Sequence, residues 1–225
     1  MLPLIATHKI KLKLTFALTL IFMTGLLALN PVAAGQNHRP VQLSQNTANS
    51  PSSVIDRFHA ALLNAMKNAK QLGIQGRYQK LAPEVAQAYD LDRWIRLSSG
   101  RFWRKASDTQ KLKLKSAFKE MSAATYASQF KSYSGERFKT LGEKPGPQKS
   151  VLVETQIIRN DKKPVGLTYI VFKVGDQWRI VDILLDNKIS QLAVRRSEYR
   201  SLLKQSGING LIDKLKEITS RLLAG

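Results

Sequence analysis

The 225-residue sequence contains no cysteine. That absence excludes a thiol nucleophile, a thiolate metal site and any disulfide bond. It also leaves no cysteine to which a lipid anchor could be attached. The folded part of the chain is therefore expected to be stabilised by packing alone.

Histidine is also scarce, with three residues in the whole chain. His8 and His38 lie in N-terminal segments that we predict to be outside the folded domain, which leaves His59 for a Ser-His-Asp or metal site. A lone histidine on a helix is more often structural than catalytic. The carboxylates are scattered singly, without the clusters that hold a cation. The sequence therefore predicts no metal ion and no cofactor.

Glycine-rich phosphate loops are missing as well, since neither Gly-x-x-x-x-Gly-Lys nor Gly-x-Gly-x-x-Gly occurs. Nucleotide binding has no support, and the protein is not expected to be an enzyme. Two carboxylates brought together by folding would still permit acid-base chemistry. Asp182, in the apolar stretch 180–185, is the most notable candidate, although we favour for it the role of a hydrogen-bond partner between elements.

Residues 1–34 have the composition of a secretory signal. Basic residues precede the apolar run 14–29, and Val32, Ala33 and Ala34 provide small side chains for cleavage after Ala34. The 16 residues of this run fall short of the roughly 20 that a membrane-spanning helix needs. We therefore predict an exported protein, for which a bacterial periplasm is a compatible location, with an uncleaved membrane anchor as the less favoured alternative.

Composition divides the rest of the chain into a polar segment, 35–53, and an apolar-patterned stretch, 54–225. The first is predicted to be a disordered leader and the second a single domain. Without the three lysines of the signal, 33 basic residues face 16 acidic ones, a net charge of +17. Such an excess attracts phospholipid head groups, nucleic acid or an acidic protein, although export makes nucleic acid the poorest candidate.

Apolar residues first recur at the spacing of helices. Ser52 or Ser53 is expected to cap the first helix, Pro83 to kink or restart the second, and the capping box Ser107–Gln110 to open the longest. The predicted helices cover residues 54–66, 75–89, 91–97 and 108–131.

After residue 135 the apolar period changes to 2, which indicates strands. Turn residues at 145–147, 160–163 and 175–176 predict an antiparallel meander, followed by two helices with a glycine break at 207–210. The strands are predicted at 136–143, 150–159, 165–174 and 177–185, and the helices at 190–205 and 211–223. This order predicts an α+β domain whose curved four-stranded sheet and helices enclose an apolar cavity.

Basic side chains are dense on the longest helix and on the first C-terminal helix. The residues are Lys111, Lys113, Lys115, Lys119 and Lys131, and then Lys188, Arg195, Arg196, Arg200 and Lys204. Such charges are usually a solvated face. The alternative is an electrostatic patch that steers the protein to a membrane or an acidic partner.

Aromatic residues are the remaining signal. They are Trp94, Phe102, Trp103, Tyr126, Phe130, Tyr169, Phe172 and Trp178. In most domains such residues form the core, and the alternative is that some of them line an apolar cavity.

An ordered series of motifs over about 54–223 resembles the MlaC family, the periplasmic phospholipid-binding proteins also known as auxiliary toluene-tolerance proteins. The motifs are Gly100-Arg-Phe-Trp103, Gln110, Phe118, Tyr126-Ala127, Tyr133, Trp178-Arg-Ile-Val-Asp182, Ile189-Ser190, Arg196, Tyr199, Leu203 and Gly207-Ile-Asn-Gly-Leu-Ile-Asp-Lys-Leu215. Asn187 stands where the family commonly has glycine, and asparagine also tolerates the left-handed turn. Residues 184–190 and 195–199 are most similar to the HpnM branch, which is associated with hopanoid-producing bacteria.

The resemblance implies a shuttle that carries a phospholipid between an outer-membrane lipoprotein complex and an inner-membrane ABC transporter bearing an MCE-domain ring. Its cargo is a hopanoid instead if the similarity to the HpnM branch holds. The resemblance also implies a curved-sheet fold related to cystatin-like and NTF2-like domains, and transient contact with membrane surfaces.

Eight residues are our candidates for the wall of a lipid cavity. They are Phe58, Leu62, Trp103, Phe118, Met121, Tyr169, Val171 and Ile180. On the third strand Leu167, Tyr169 and Val171 share one face, but alternation does not show which face points inward. A lipid carrier is the leading hypothesis, a cargo-free adaptor for an acidic protein or membrane surface the second, and a hydrolase with a carboxylate site the third.

Overall fold

Helices precede and follow one antiparallel sheet in the computed structural model, which describes residues 49–160 and 162–224. The elements are α1 (Pro51–Lys67), α2 (Ala69–Ala88), α3 (Leu91–Ser99), α4 (Arg101–Lys105), α5 (Asp108–Gln129), β1 (Arg137–Pro145), β2 (Val151–Arg159), β3 (Lys162–Val174), β4 (Gln177–Leu185), β5 (Ile189–Ser190) and α6 (Gln191–Leu223). The predicted signal peptide and most of the predicted leader lie outside the described residues. In the described ranges no helix is both long and apolar enough to cross a membrane.

Helix α1 begins earlier than predicted. Ser50 is its N-cap and accepts a hydrogen bond from the Ser53 amide at 3.1 Å, so the prediction of Ser52 or Ser53 as the cap is wrong. Pro51 occupies the first turn, where a missing N–H removes no helical hydrogen bond. Residues 51–53, predicted to end the leader, therefore belong to the helix.

Helix α2 is interrupted at Gly73, where φ is 59° and ψ is −172°. Glycine reaches positive φ without a steric penalty, so the chain restarts there and not at Pro83 as predicted. The dihedral angles at Pro83 remain helical. The part of α2 after Gly73 corresponds to the predicted second helix.

The later helices follow the sequence signals more closely. Ser107 and Gln110 form the predicted capping box, with N–H to side-chain oxygen distances of 3.2 Å and 3.0 Å. The segment α6 is interrupted at Gly207, where φ is 62° and ψ is −160°, so the predicted glycine break between two C-terminal helices is confirmed. Ser190 caps α6 through the Ala193 amide.

All five strands pair antiparallel in chain order, so the four predicted strands are confirmed. The fifth, β5, has two residues and is too short to show a period in the sequence. It follows a turn in which Asp186 and Asn187 adopt positive φ, the conformation that asparagine was expected to tolerate.

The core lies between the sheet and the helices, with α1 against β1, β2 and β4, and α5 against α2 and α6. On β3, Leu167, Tyr169 and Val171 are buried, which shows that their shared face points inward. The same alternation holds on β2, where Val153, Thr155 and Ile157 are buried. The sheet face that meets the helices is thus fixed by these two central strands.

Candidate functional site

An aromatic cluster fills the core beside α1. Phe58 lies edge-on to Tyr89 and Tyr126, with ring centroids 5.4 Å and 5.2 Å away. Trp94 adds a third edge-on contact, 6.0 Å from Tyr89. Edge-to-face rings are the favoured arrangement of aromatic pairs, so α1, α3 and α5 are held together by rings at this level.

Two polar pairs are buried in and beside this cluster. His59 Nε2 lies 2.8 Å from the Tyr169 hydroxyl, which joins α1 to β3. The hydroxyls of Tyr89 and Tyr126 hydrogen-bond to one another. The His59 ring also stacks on Phe138 of β1, with centroids 4.0 Å apart. Each polar group has a partner, which is the condition for burying it at low cost.

Burial keeps these groups uncharged at neutral pH. It lowers the pKa of His59 to about 3, far below its ordinary value, and raises the pKa of the Tyr126 hydroxyl. The pKa values of Tyr89 and Tyr169 are also raised well above the ordinary tyrosine value, first by burial and then by neighbouring phenol groups. The surroundings of Phe58 and Tyr169 are therefore apolar, with a few neutral hydrogen-bonding groups.

The MlaC family model matches residues 56–217, well over half of the chain. This protein belongs to the MlaC family. A solved structure of a phospholipid-binding protein from Ralstonia solanacearum, in complex with a phospholipid, is similar in fold, with a TM-score of 0.66 at 20% sequence identity. The similarity covers 77% of this chain and 98% of that one. The resemblance inferred from the motifs and the α+β fold class are thereby confirmed.

Seven of the eight candidate wall residues of this MlaC-family chain share one property, an exposure of only 0–2%. They are Phe58, Leu62, Phe118, Met121, Tyr169, Val171 and Ile180. Such burial is common to ordinary core residues and to residues that close over an apolar interior. Their assignment to a cavity wall therefore stays a prediction.

Trp103 differs from the other seven candidates. It lies on the five-residue helix α4, which has no buried residue, and the Nζ atom of Lys115 lies 6.0 Å from its ring. A helix this short cannot bury a complete face, so the indole is only partly covered. The structure does not bring Trp103 into the aromatic cluster.

Trp94 has an unusual hydrogen-bonding state. Its indole N–H is buried, and no acceptor for it lies within the described residues. Buried donors without an acceptor are rare and call for an explanation. The Trp94 ring itself lies edge-on to the Tyr89 ring, with centroids 6.0 Å apart.

Tyr89 is the member of this site that the sequence analysis missed. It ends the helical pattern of α2, where a single tyrosine looks like a boundary residue. A sequence signal lies next to it, because Tyr89 and Trp94 flank Asp90, the half-buried N-cap of α3, which accepts a hydrogen bond from the Arg93 amide at 3.0 Å.

Asp182 has the structural role that we favoured. Its carboxylate accepts hydrogen bonds from the amides of Ile183 and Leu192, at 2.7 Å and 2.9 Å, and from the Ser190 hydroxyl. Leu192 lies in the first turn of α6, where amides lack helical acceptors. Asp182 therefore fastens α6 to β4, and its oxygens are occupied.

Some of the basic residues predicted to form a patch are paired with acidic side chains of the same chain. On α5, Lys115 and Lys119 both pair with Asp92 of α3, at 2.8 Å and 3.2 Å. Arg195 of α6 pairs with Glu198.

Among the described residues no group of three histidine or acidic side chains is placed to hold a metal ion.

Proposed function

We propose that this MlaC-family protein is a periplasmic lipid carrier, not an enzyme, and that it binds a phospholipid between its sheet and its helices. The observation that carries the proposal is the family match over 56–217. The phospholipid of the Ralstonia neighbour supports the same ligand class. The uncharged interior around Phe58 and Tyr169 supports it as well, since acyl chains avoid buried charge.

Burial of the acyl chains supplies the affinity in this proposal. Transfer of a methylene from water contributes roughly 0.8 kcal/mol, so a chain of about sixteen carbons gains about 10 kcal/mol or more before losses. The chain would lie against Phe58, Tyr169, Val171 and Ile180, whose side chains part to admit it. The Trp94 N–H would then donate to an ester oxygen of the lipid.

The transport route is the finer part of the proposal. The carrier would exchange lipid with an outer-membrane lipoprotein complex and with an inner-membrane ABC transporter that bears an MCE-domain ring. A hopanoid is the alternative cargo, supported by the similarity of residues 184–190 to the HpnM branch. Both cargoes present a large apolar surface, so the interior alone favours neither.

Enlarging Ile180 tests whether the sheet face meets the cargo. In Ile180→Phe the added ring occupies space that the acyl chain needs, so we expect lipid per folded chain to fall about tenfold, with an overpacking cost of about 1–3 kcal/mol. Ile218→Phe is the matched control, because Ile218 of α6 is equally buried but is not a candidate wall residue. There the ring overpacks the helices and costs about 1–3 kcal/mol, while the folded protein keeps its lipid.

Lipid per folded chain, measured by phosphorus assay, and urea unfolding of both variants provide the readout. If Ile180→Phe still carries as much lipid per folded chain as Ile218→Phe, then Ile180 is ordinary core and the binding face is elsewhere.

A further inference from the structure

A concave cleft between α4 and α6 carries five positive side chains. They belong to Arg101, Arg104, Arg196, Arg200 and Lys204, and this site is called the basic cleft below. Its volume is about 360 Å³, within the range of roughly 300–1,000 Å³ typical of small-molecule sites. No acidic side chain is found among the described residues that line it.

The five charges are arranged by helix geometry. Arg196, Arg200 and Lys204 are spaced four residues apart and so lie on one face of α6, and Arg101 and Arg104 are one turn apart on α4. Like charges one turn apart destabilise a helix. The sequence thus concentrates repulsion at one place in the fold.

Among the described residues no acidic side chain relieves this repulsion, although the Arg101 guanidinium lies 5.3 Å from the centroid of the Phe102 ring. Elsewhere on α6, Arg195 pairs with Glu198 and Lys214 with Glu217, at 3.0 Å and 2.7 Å. Across residues 49–160 and 162–224, by contrast, the cations of the basic cleft form no ion pair. The cleft is therefore complementary to an anion from outside the protein.

The chemistry of the cleft favours a phosphate group next to an apolar surface. Four of its five cations are arginines, whose planar fork donates two parallel hydrogen bonds to phosphate oxygens. Phe102 contributes half-buried apolar surface to the lining, whereas Leu203 there is buried. Cationic side chains beside an aromatic ring suit the interface of a bilayer.

We propose that the basic cleft docks this protein on a membrane by binding the phosphate of an anionic phospholipid head group that stays in the bilayer. A bilayer presents many such phosphates to a strongly positive protein, which favours both encounter and retention. The contact goes beyond cargo binding, because it involves the outer surface of α4 and α6 and does not require a lipid in the core.

Neutralising two arginines of the cleft tests this docking. The purified full chain is sedimented with phosphatidylcholine vesicles that do or do not contain phosphatidylglycerol, at low and at high salt. At about 1 kcal/mol for each basic residue, Arg196→Gln/Arg200→Gln should bind the anionic vesicles roughly 30-fold more weakly than the wild type. Arg196→Lys/Arg200→Lys retains the charge but not the fork, so an intermediate loss is expected.

Lys216→Gln/Arg221→Gln is the matched control. Both residues are exposed on α6 and outside the cleft lining, and the net charge changes by the same amount. Vesicle binding of this variant should stay within a factor of about three of the wild type. An equal loss in the control would show that the charge acts diffusely and would overturn the assignment to the cleft.

Three further results would overturn the proposal. One is equal binding to vesicles without phosphatidylglycerol. Another is binding of inorganic phosphate that the Arg196→Gln/Arg200→Gln change abolishes while vesicle binding persists, which would mark a site for free phosphate. The third is binding of poly-glutamate that depends on the cleft when anionic vesicles do not bind, which would indicate an acidic protein partner. Lipid content is measured on the same samples, so an empty protein that still docks would contradict only the carrier function.

Discussion

Replacing Asp182 with alanine is expected to lower the free energy of unfolding by about 3–4 kcal/mol. The substitution leaves the amide of Leu192 and the hydroxyl of Ser190 without their acceptor in a largely buried place. Each unsatisfied buried donor costs about 1–3 kcal/mol, and a negative charge near the start of α6 is lost as well. Urea unfolding at neutral pH, followed by circular dichroism, measures the change.

Two variants bracket this result. Asp182→Asn keeps an acceptor oxygen but not the charge, so its loss should be about half as large. Asp213→Ala removes an exposed carboxylate of α6 and should change stability by no more than about 0.5 kcal/mol. A loss below about 1 kcal/mol in Asp182→Ala would mean that the carboxylate does not hold α6. Asp182 would then again be a candidate for the carboxylate site of a hydrolase.

Acid is expected to destabilise the protein through His59. In the unfolded chain histidine binds a proton below a pKa of about 6.5, whereas burial lowers the pKa of folded His59 to about 3. The unfolded state therefore binds more protons as the pH falls from 6.5 to about 3, and stability decreases across that window. Between pH 7 and pH 5 this one residue should remove about 2 kcal/mol.

The difference between the wild type and His59→Gln isolates this effect. Glutamine can still hydrogen-bond to the Tyr169 hydroxyl but does not titrate, so the variant should lack the loss between pH 7 and pH 5. Other groups, such as Glu198 with a pKa raised by burial, titrate in both proteins and cancel in the difference. Parallel pH profiles of unfolding free energy would show that His59 becomes protonated without unfolding the core.

Local pattern was sufficient to predict most of the fold. The capping box at Ser107 could be read directly because it is complete within four residues of sequence. The alternation in β2 could be read because it repeats every two residues and buries one face. Helix α4 and strand β5 are too short to contain a full period. Proline is the stronger helix breaker in a sequence pattern, which is why the pattern indicates Pro83, whereas the restart is at Gly73 and Pro83 keeps helical dihedral angles.

The site itself could be predicted only in part. Phe58, Tyr169 and Ile180 could be selected because they occupy the apolar phase of their elements. The pairing of His59 with Tyr169 spans 110 positions, and that of Tyr89 with Tyr126 spans 37, and no local period encodes either contact. The basic cleft likewise needed the approach of α4 to α6, because the sequence shows the density of the charges and not their convergence.

Native mass spectrometry of the protein purified without detergent, with organic extraction of whatever is bound, tests the carrier function most directly. We expect the mass of one chain with a bound lipid, and a phospholipid or hopanoid in the extract. A mass without ligand that persists after incubation with lipid vesicles would contradict the carrier function and would make the cargo-free adaptor the leading hypothesis.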